Sequence, residues 1–292
     1  MKIILVCIGN FQEYIINNIK NLQLFNNNDI VVLTNKQFFN NFNSLNVQLY
    51  DVDELDDNEY LSKTKMDRHF RNGFWIYCSL RLFYLFSYIK KYNITNCIHL
   101  ENDVMSYINF DDLKYHFKFN KVYAAYDSYT RVIPGIIFIP DYKSFEPIIT
   151  NYDFALDDMF NIGKHDETII EPLPIFPILD NINKFNKNYI NCIFDAAAMG
   201  QYLGGIDERN MQGDTRGYVS KDCLIKYDIY SFFWIKINNL YVPHIKINNN
   251  LIRIINLHIH SKKLDKFMAN DPLEDKYILK NIKRDYKKMI FL

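Results

Sequence analysis

The chain lacks net charge, a membrane-length apolar run and any glycine-rich phosphate motif, and each absence removes a class of function. Its 34 basic residues are balanced by 34 acidic ones. Nucleic acid or an anionic membrane as main partner calls for a basic surface, so neither is expected. No apolar run approaches the ~20 residues of a membrane span. Ile3 to Ile8 is too short for a secretory signal, and no small-residue cleavage site follows it. Neither G-x-G-x-x-G nor a Walker loop occurs, which disfavours dinucleotide and P-loop binding. Cysteine is sparse: Cys7, Cys78, Cys97, Cys192 and Cys223 are scattered and odd in number. They read as buried free thiols in a reducing compartment. A cytoplasmic protein without a membrane span is expected.

What is present is apolar and aromatic. Hydrophobic residues make up 49 % of the 292, enough for a sizeable core, and aromatics 16 %. Core packing accounts for most aromatics, although sugar-binding clefts also use aromatic faces. The abundance of Asn, Lys, Ile and Tyr points to an AT-rich coding sequence, as in large DNA viruses or AT-rich microbes. The setting would be the host cytoplasm if viral.

Lys2 to Cys7 reads as a buried strand stopped by Gly9-Asn10. Phe11, Ile15, Ile19 and Leu22 recur at helical spacing, which predicts a helix over Gln12 to Leu24. Strands follow at Ile30 to Leu33 and Val47 to Tyr50. A β-α-β opening suggests a parallel sheet of nucleotide-binding type. Gly73 to Lys91 is predicted as a long helix with Phe74, Cys78, Leu82, Leu85 and Ile89 on one face. Arg81 inside it needs a partner, as a buried ion pair or as a ligand contact.

The central stretch is Asn96 to Met105. A short strand ends in Glu101-Asn102-Asp103, two acids flanking an amide. Ligands of open α/β sheets sit beyond the carboxyl ends of strands, and paired oxygen ligands suit Mg²⁺ or Mn²⁺. The alternative is a turn in which Asn102 and Asp103 cap backbone amides. Downstream, Lys121 to Tyr126 and Gly135 to Ile139 are predicted strands, and Asp141 to Thr150 a helix. Asp157-Asp158-Met159 opens a short segment closed by Gly163. Glu171 to Pro177 must be extended.

Two further stretches carry chemistry. Asp195 precedes an alanine run stopped by Gly204-Gly205, so it is a helix cap or a site acid. The polar loop from Ile206 to Gly217 is a surface excursion or the rim of a site. In Ile254 to Lys263, alternation places Asn256, His258 and His260 on one strand face, with Lys262 just beyond. A histidine and a lysine there could complete a metal–diphosphate site, although lone histidines are more often structural. Asp271-Pro272 is predicted to cap a final amphipathic helix reaching about Ile290.

The order of these features resembles the GT-A class of nucleotide-sugar-dependent glycosyltransferases, from Lys2 to about Leu264. Ser79-Leu-Arg-Leu82 followed by His99-Leu-Glu-Asn-Asp-Val104 is similar to its Arg-Leu pair ahead of a metal-binding D-x-D. Asp157-Asp-Met ahead of Leu173-Pro174 resembles the acidic helix start that lines the donor sugar. His260-Ser-Lys262 resembles the C-terminal His and Lys that close over metal and diphosphate. The first acid is Glu101 rather than Asp, the His-x-x-Gly-x-x-Lys-Pro-Trp ending is missing, and Ile133-Pro-Gly135 lacks an Asn-Ser before Gly. Retaining and inverting outcomes therefore both stay open.

The resemblance implies an α/β fold of GT-A type, with a mixed, mostly parallel Rossmann-like sheet flanked by helices. One catalytic domain would span 1–264, with 265–292 a C-terminal helix packed on it. The implied activity is metal-dependent sugar transfer from a nucleotide-sugar, with UDP as the expected carrier, to a glycan or other hydroxyl acceptor. Mn²⁺ or Mg²⁺ would be held by Glu101, Asp103 and His260. Gly9, Asn10, Phe11, Arg81, Asn102, Asp157 and Lys262 would contact the donor. Asp195 and Asp158 are the candidate catalytic acids, Asp195 on the acceptor side, with Glu167 a third. The alternatives are a sugar-phosphate nucleotidyltransferase and a non-catalytic carbohydrate-binding protein.

Overall fold

Continuous apolar runs such as KIILVC, IVVLT and VIPGIIFI cannot leave a face to water, so they form strands covered on both sides. The computed structural model describes residues 1–115, 120–176, 185, 191–205, 207, 218–219, 223–224, 230–247, 250–271 and 290–291. Its main sheet takes β1 (Lys2–Cys7), β2 (Ile30–Thr34), β3 (Gln48–Asp51) and β4 (Cys97–Leu100). A short β5 (Val104–Ser106) follows outside that sheet, which then gains β6 (Val122–Tyr126), β7 (Val132–Ile139) and β8 (Ile170–Pro172). The strand order is β3-β2-β1-β4-β7-β6-β8. Only β7 runs against its neighbours β4 and β6; the other pairs are parallel. This is the mixed, mostly parallel α/β sheet expected.

The helices are α1 (Ile15–Leu24), α2 (Tyr60–Lys63), α3 (Phe74–Lys91), α4 (Tyr142–Thr150), α5 (Asp158–Gly163) and α6 (Met199–Gly204). Asp141 accepts from the Ser144 amide (2.8 Å), which fixes the start of α4. In α3, Leu82, Leu85 and Ile89 are buried as expected. Phe74 and Cys78 instead turn to a cavity together with Arg81. The helix thus has a core face and a site face.

The remaining strands are β9 (Cys192–Ile193), β10 (Tyr218–Val219), β11 (Ser231–Ile237), β12 (Leu240–Ile247), β13 (Asn250–Ile254), β14 (Asn256–His258) and β15 (Ile290–Phe291). A second sheet has the order β11-β12-β13-β9. Its β11–β12 hairpin turns through Asn238-Asn239, both at positive φ, as a two-residue hairpin loop requires. The element that matters for the site is β14, which pairs antiparallel with β5 and sets His258 opposite Val104.

Three expected boundaries move. Ala196 to Ala198 are not helical, and α6 begins at Met199. The strand carrying the histidines ends at His258 rather than running through His260. Leu264–Phe267 is a 3₁₀ turn, and Ile290 lies in a strand. The helix expected over 272–289 and most of the loop expected at 206–217 lie outside the described residues.

Candidate active site

The chain leaves β1 toward β2 on one side and arrives at β4 on the other. Strand order reverses between β1 and β4, and open sheets bind ligands in the crevice at that point. A cavity of about 940 Å³ lies there. It is walled by the segment after β1 (Asn10, Phe11, Gln12), the turn after β4 (Glu101, Asn102, Asp103) and the site face of α3. The volume suits a nucleotide-sized ligand.

Glu101, Asp103 and His258 place one ligand atom each within 4.8 Å of one another. His258 Nε2 lies 3.1 Å from Asp103 Oδ2 and 3.3 Å from Glu101 Oε2. Two carboxylates and an imidazole form a donor set that fits Mn²⁺ or Mg²⁺. Lys262 pairs with Asp103 as well. Burial works against a charged His258, but Asp103 and Glu101 overcome it and raise its pKa above the ordinary value. Burial likewise works against an ionised Asp103, yet His258 and Lys262 hold its carboxyl well below the usual range.

His260 is not part of this cluster. With the strand ended at His258, the chain turns, and the His260 Nδ1 accepts from the Asp207 amide (3.1 Å). The two rings are 6.4 Å apart. Burial, and then Lys262 and His258, push the His260 pKa down to about 3. The imidazole that meets the carboxylates is therefore that of His258 and not that of His260, which was expected there. His260 still lines the cavity.

Arg81 resolves in favour of a buried ion pair. One terminal nitrogen meets Glu101 and the other lies 2.6 Å from Asp158 Oδ2. Arg81 also lines the cavity in which it was expected to contact the donor. Burial raises the Asp158 pKa to about 6 despite Arg81, with Glu101 and Asp157 adding to the rise. Asp158 is 2 % exposed and lines the cavity.

The neighbouring Asp157 does not reach the cavity; its carboxylate caps α5 by accepting from the Phe160 amide (3.0 Å). Gly9 is also structural. Its φ is +77°, and a Cβ there would stand 2.7 Å from the Tyr77 ring. Asn10 and Phe11 beside it do face the cavity. Asn102 donates through Nδ2 to the Val6 carbonyl and to Gln12 Oε1, both at 2.7 Å.

Asp195, expected as a helix cap or a site acid, is bound by backbone amides. Its Oδ1 accepts from the amides of Ala198 and Met199 (2.8 Å each). Its Oδ2 accepts from Gly200 (2.8 Å) and His258 (2.9 Å). A general base must turn a lone pair to the acceptor hydroxyl, and this carboxylate is committed to four backbone donors away from the cavity wall. It caps α6 and ties it to β14. The contact is close: a Cβ at Gly200 would lie 1.9 Å from the His258 carbonyl oxygen. Glu167 does not line the cavity either.

Sequence reading missed the aromatic wall. Phe70, Phe74, Trp75 and Tyr77 line the cavity, Phe70 stacked on Trp75 with ring centroids 6.2 Å apart. Arg71 lies over Phe74 (4.5 Å) and pairs with Asp207 (3.1 Å). The dense aromatic run around Gly73 was the available signal. Gln12 was also missed.

No protein-family model matches the chain, and no curated protein matches its sequence. Among solved structures it is similar to the galactosyltransferase LgtC in complex with donor and acceptor sugar analogs. That match has 12 % identity over 60 % of this chain and 73 % of that one, with a TM-score of 0.41. Mouse xyloside xylosyltransferase 1 in its apo form matches at 10 % identity, 59 % and 84 % coverage and a TM-score of 0.40. A cytidylyltransferase from Leptospira borgpetersenii serovar Hardjo-bovis matches at 12 %, 52 % and 64 %, with a TM-score of 0.32. At TM-scores below 0.5, no choice between sugar transfer and nucleotidyl transfer rests on this likeness.

Proposed function

We propose that the protein is a divalent-metal-dependent glycosyltransferase that takes a sugar from a nucleotide-sugar, UDP-linked in the first instance, to a hydroxyl acceptor. One observation carries the reading. The acids expected to hold a metal meet an imidazole and an ammonium at the strand-order switch of the sheet, inside a cavity of about 940 Å³. Glu101, Asp103 and His258 are the residues that would hold Mn²⁺ or Mg²⁺. A bound cation supplies charge neutralisation to a leaving diphosphate.

The chain's own groups do the rest. Lys262, partnered with Asp103, places a second positive charge at the same spot, where anionic oxygens are stabilised. Arg81 holds Glu101 and Asp158 in fixed relation. Asp158 is one of the acids at the cavity wall, and a pKa near 6 suits a group that orients a hydroxyl and accepts its proton near neutral pH. The segment after β1 would face the nucleoside, and it has one glycine rather than the glycine-rich loop of a nucleotidyltransferase. A thermal-shift screen of sugar nucleotides, with and without Mn²⁺, tests the reading. Stabilisation of about 2.7 kcal/mol is expected at hundredfold ligand excess, and no metal-dependent shift with any nucleotide would refute it.

A further inference from the structure

Gly135 is buried inside β7, where a glycine has no side chain to pack and weakens the strand. Its φ is not in the left-handed region, so the backbone does not call for glycine. Space does. A Cβ at Gly135 would stand 2.9 Å from His258 Nδ1, 3.2 Å from Val104 Cγ2 and 3.5 Å from Glu101 Oε2. The first distance is shorter than Cβ atoms tolerate. An irregularity in β7 brings this slot to the site. While β6 advances one residue, from Ala124 to Ala125, the partner on β7 changes from Ile137 to Ile133. Bulges of this kind re-aim residues beside active sites. The Gly135 carbonyl also accepts from the Glu101 amide (3.0 Å), so one residue borders both an acid and the imidazole of the cluster.

The His258 ring lacks the usual means of orientation. A metal-binding histidine almost always donates its second ring N–H to a carboxylate, a carbonyl or water, and that bond fixes the ring. His258 turns Nε2 to Glu101 and Asp103. Its Nδ1 is buried and has no hydrogen-bond partner among the described residues. Shape then has to do what a hydrogen bond does elsewhere, and the ring edge carrying Nδ1 rests against Gly135.

We propose that Gly135 is a positioning residue of the metal centre: its missing side chain leaves the slot that seats the His258 ring against Glu101 and Asp103. The inference rests on the metal-dependent reading above. A side chain at this position would push the imidazole off the two acids.

The test is a cycle of Gly135→Ala, His258→Ala and the double variant, each titrated with Mn²⁺ in the presence of UDP and each melted without metal. Gly135→Ala should weaken Mn²⁺ about 10- to 100-fold, the range for losing a group that orients a metal ligand. In the His258→Ala background the ring is gone and the Cβ has room, so Gly135→Ala should change Mn²⁺ affinity by less than about threefold. Any drop in melting temperature that Gly135→Ala causes in the metal-free chain should likewise disappear in the double variant. If Gly135→Ala does not fold, a double variant that folds supports the conflict with the ring, and one that does not fold overturns it. Unchanged Mn²⁺ affinity in Gly135→Ala overturns the inference, as does an equal loss in both backgrounds. Either result leaves the metal reading standing. A wild type without Mn²⁺-dependent UDP binding overturns both.

Discussion

Asp195 and the acids of the site, Glu101, Asp103 and Asp158, are all largely withdrawn from solvent, and they are satisfied in opposite ways. Asp195 is held by four backbone amides. Glu101, Asp103 and Asp158 are held chiefly by side chains, namely Arg81, His258 and Lys262. Backbone donors are fixed by α6 and β14 and cannot leave without unfolding local structure. Side-chain cations sit on rotatable stems and can be exchanged for a ligand. A carboxylate saturated by amides is therefore part of the scaffold, and one balanced by mobile charge at a cavity wall is available for chemistry.

The largest expected effect is on turnover. Asp158→Asn should lower sugar transfer by about 10²–10⁴ while changing donor affinity little, because it removes the proton acceptor and not the metal ligands. A base works only when ionised, so wild-type kcat/KM should rise with pH through about 6, where burial places the Asp158 pKa. Asp158→Asn should lack that limb. Steady-state rates from pH 5 to 8 read both, and wild-type turnover in the variant would return the catalytic role to another group.

Asp195→Asn should act on stability instead. Asparagine keeps one acceptor oxygen and sets an NH₂ against amides that Asp195 now satisfies, a loss of about 3 kcal/mol. Urea denaturation measures it. A variant as stable as wild type but slow in transfer would invert the comparison between the two sets.

Asp103→Asn belongs to the exchangeable set. Mn²⁺-dependent UDP binding should weaken by about a hundredfold, ~2.7 kcal/mol, with the melting temperature within a few degrees of wild type. Unchanged metal-dependent binding would reduce the Glu101–Asp103 turn to a structural feature.

Strands of the sheet and the acid turn after β4 were legible because both leave local signals: unbroken apolar runs, and charged residues where such a run stops. Arg81 was legible as a buried ion pair or a ligand contact, because a charge inside an apolar helix must be answered, although its two partners were not. Asp195 looked like a cap or a site acid, and only its amide partners decide. Two of these lie on α6 and one on Ala198 just before it, but the fourth comes from His258, 63 residues away. Gln12 carried no signal, since its side chain meets Asn102, 90 residues on. Such roles depend on which segments the fold brings together, and periodicity says nothing of that.

The smallest effect tests the histidine pair, where alternation along a strand misled. Periodicity treats His258 and His260 as equivalent, since both would point to one face of an extended chain. The strand stops at His258, and the turn that follows, with the Lys262 amide donating to the Ile259 carbonyl at 2.9 Å, rotates His260 toward the Asp207 backbone. His258→Ala removes a ligand atom that lies 3.1 and 3.3 Å from the two acids, so Mn²⁺ affinity should drop by at least about tenfold, as even outer partners of metal ligands cost 10–100-fold. His260→Ala removes a ring whose pKa of about 3 leaves it neutral at working pH, so no charge is lost near the acids. Its effect on Mn²⁺ affinity should stay under about threefold, below the ~1.4 kcal/mol that a tenfold change represents. Calorimetric titration of Mn²⁺ in the presence of UDP compares the two variants directly. A larger loss in His260→Ala than in His258→Ala would show that the loaded site recruits His260, and that the turn after β14 rearranges when donor and metal bind.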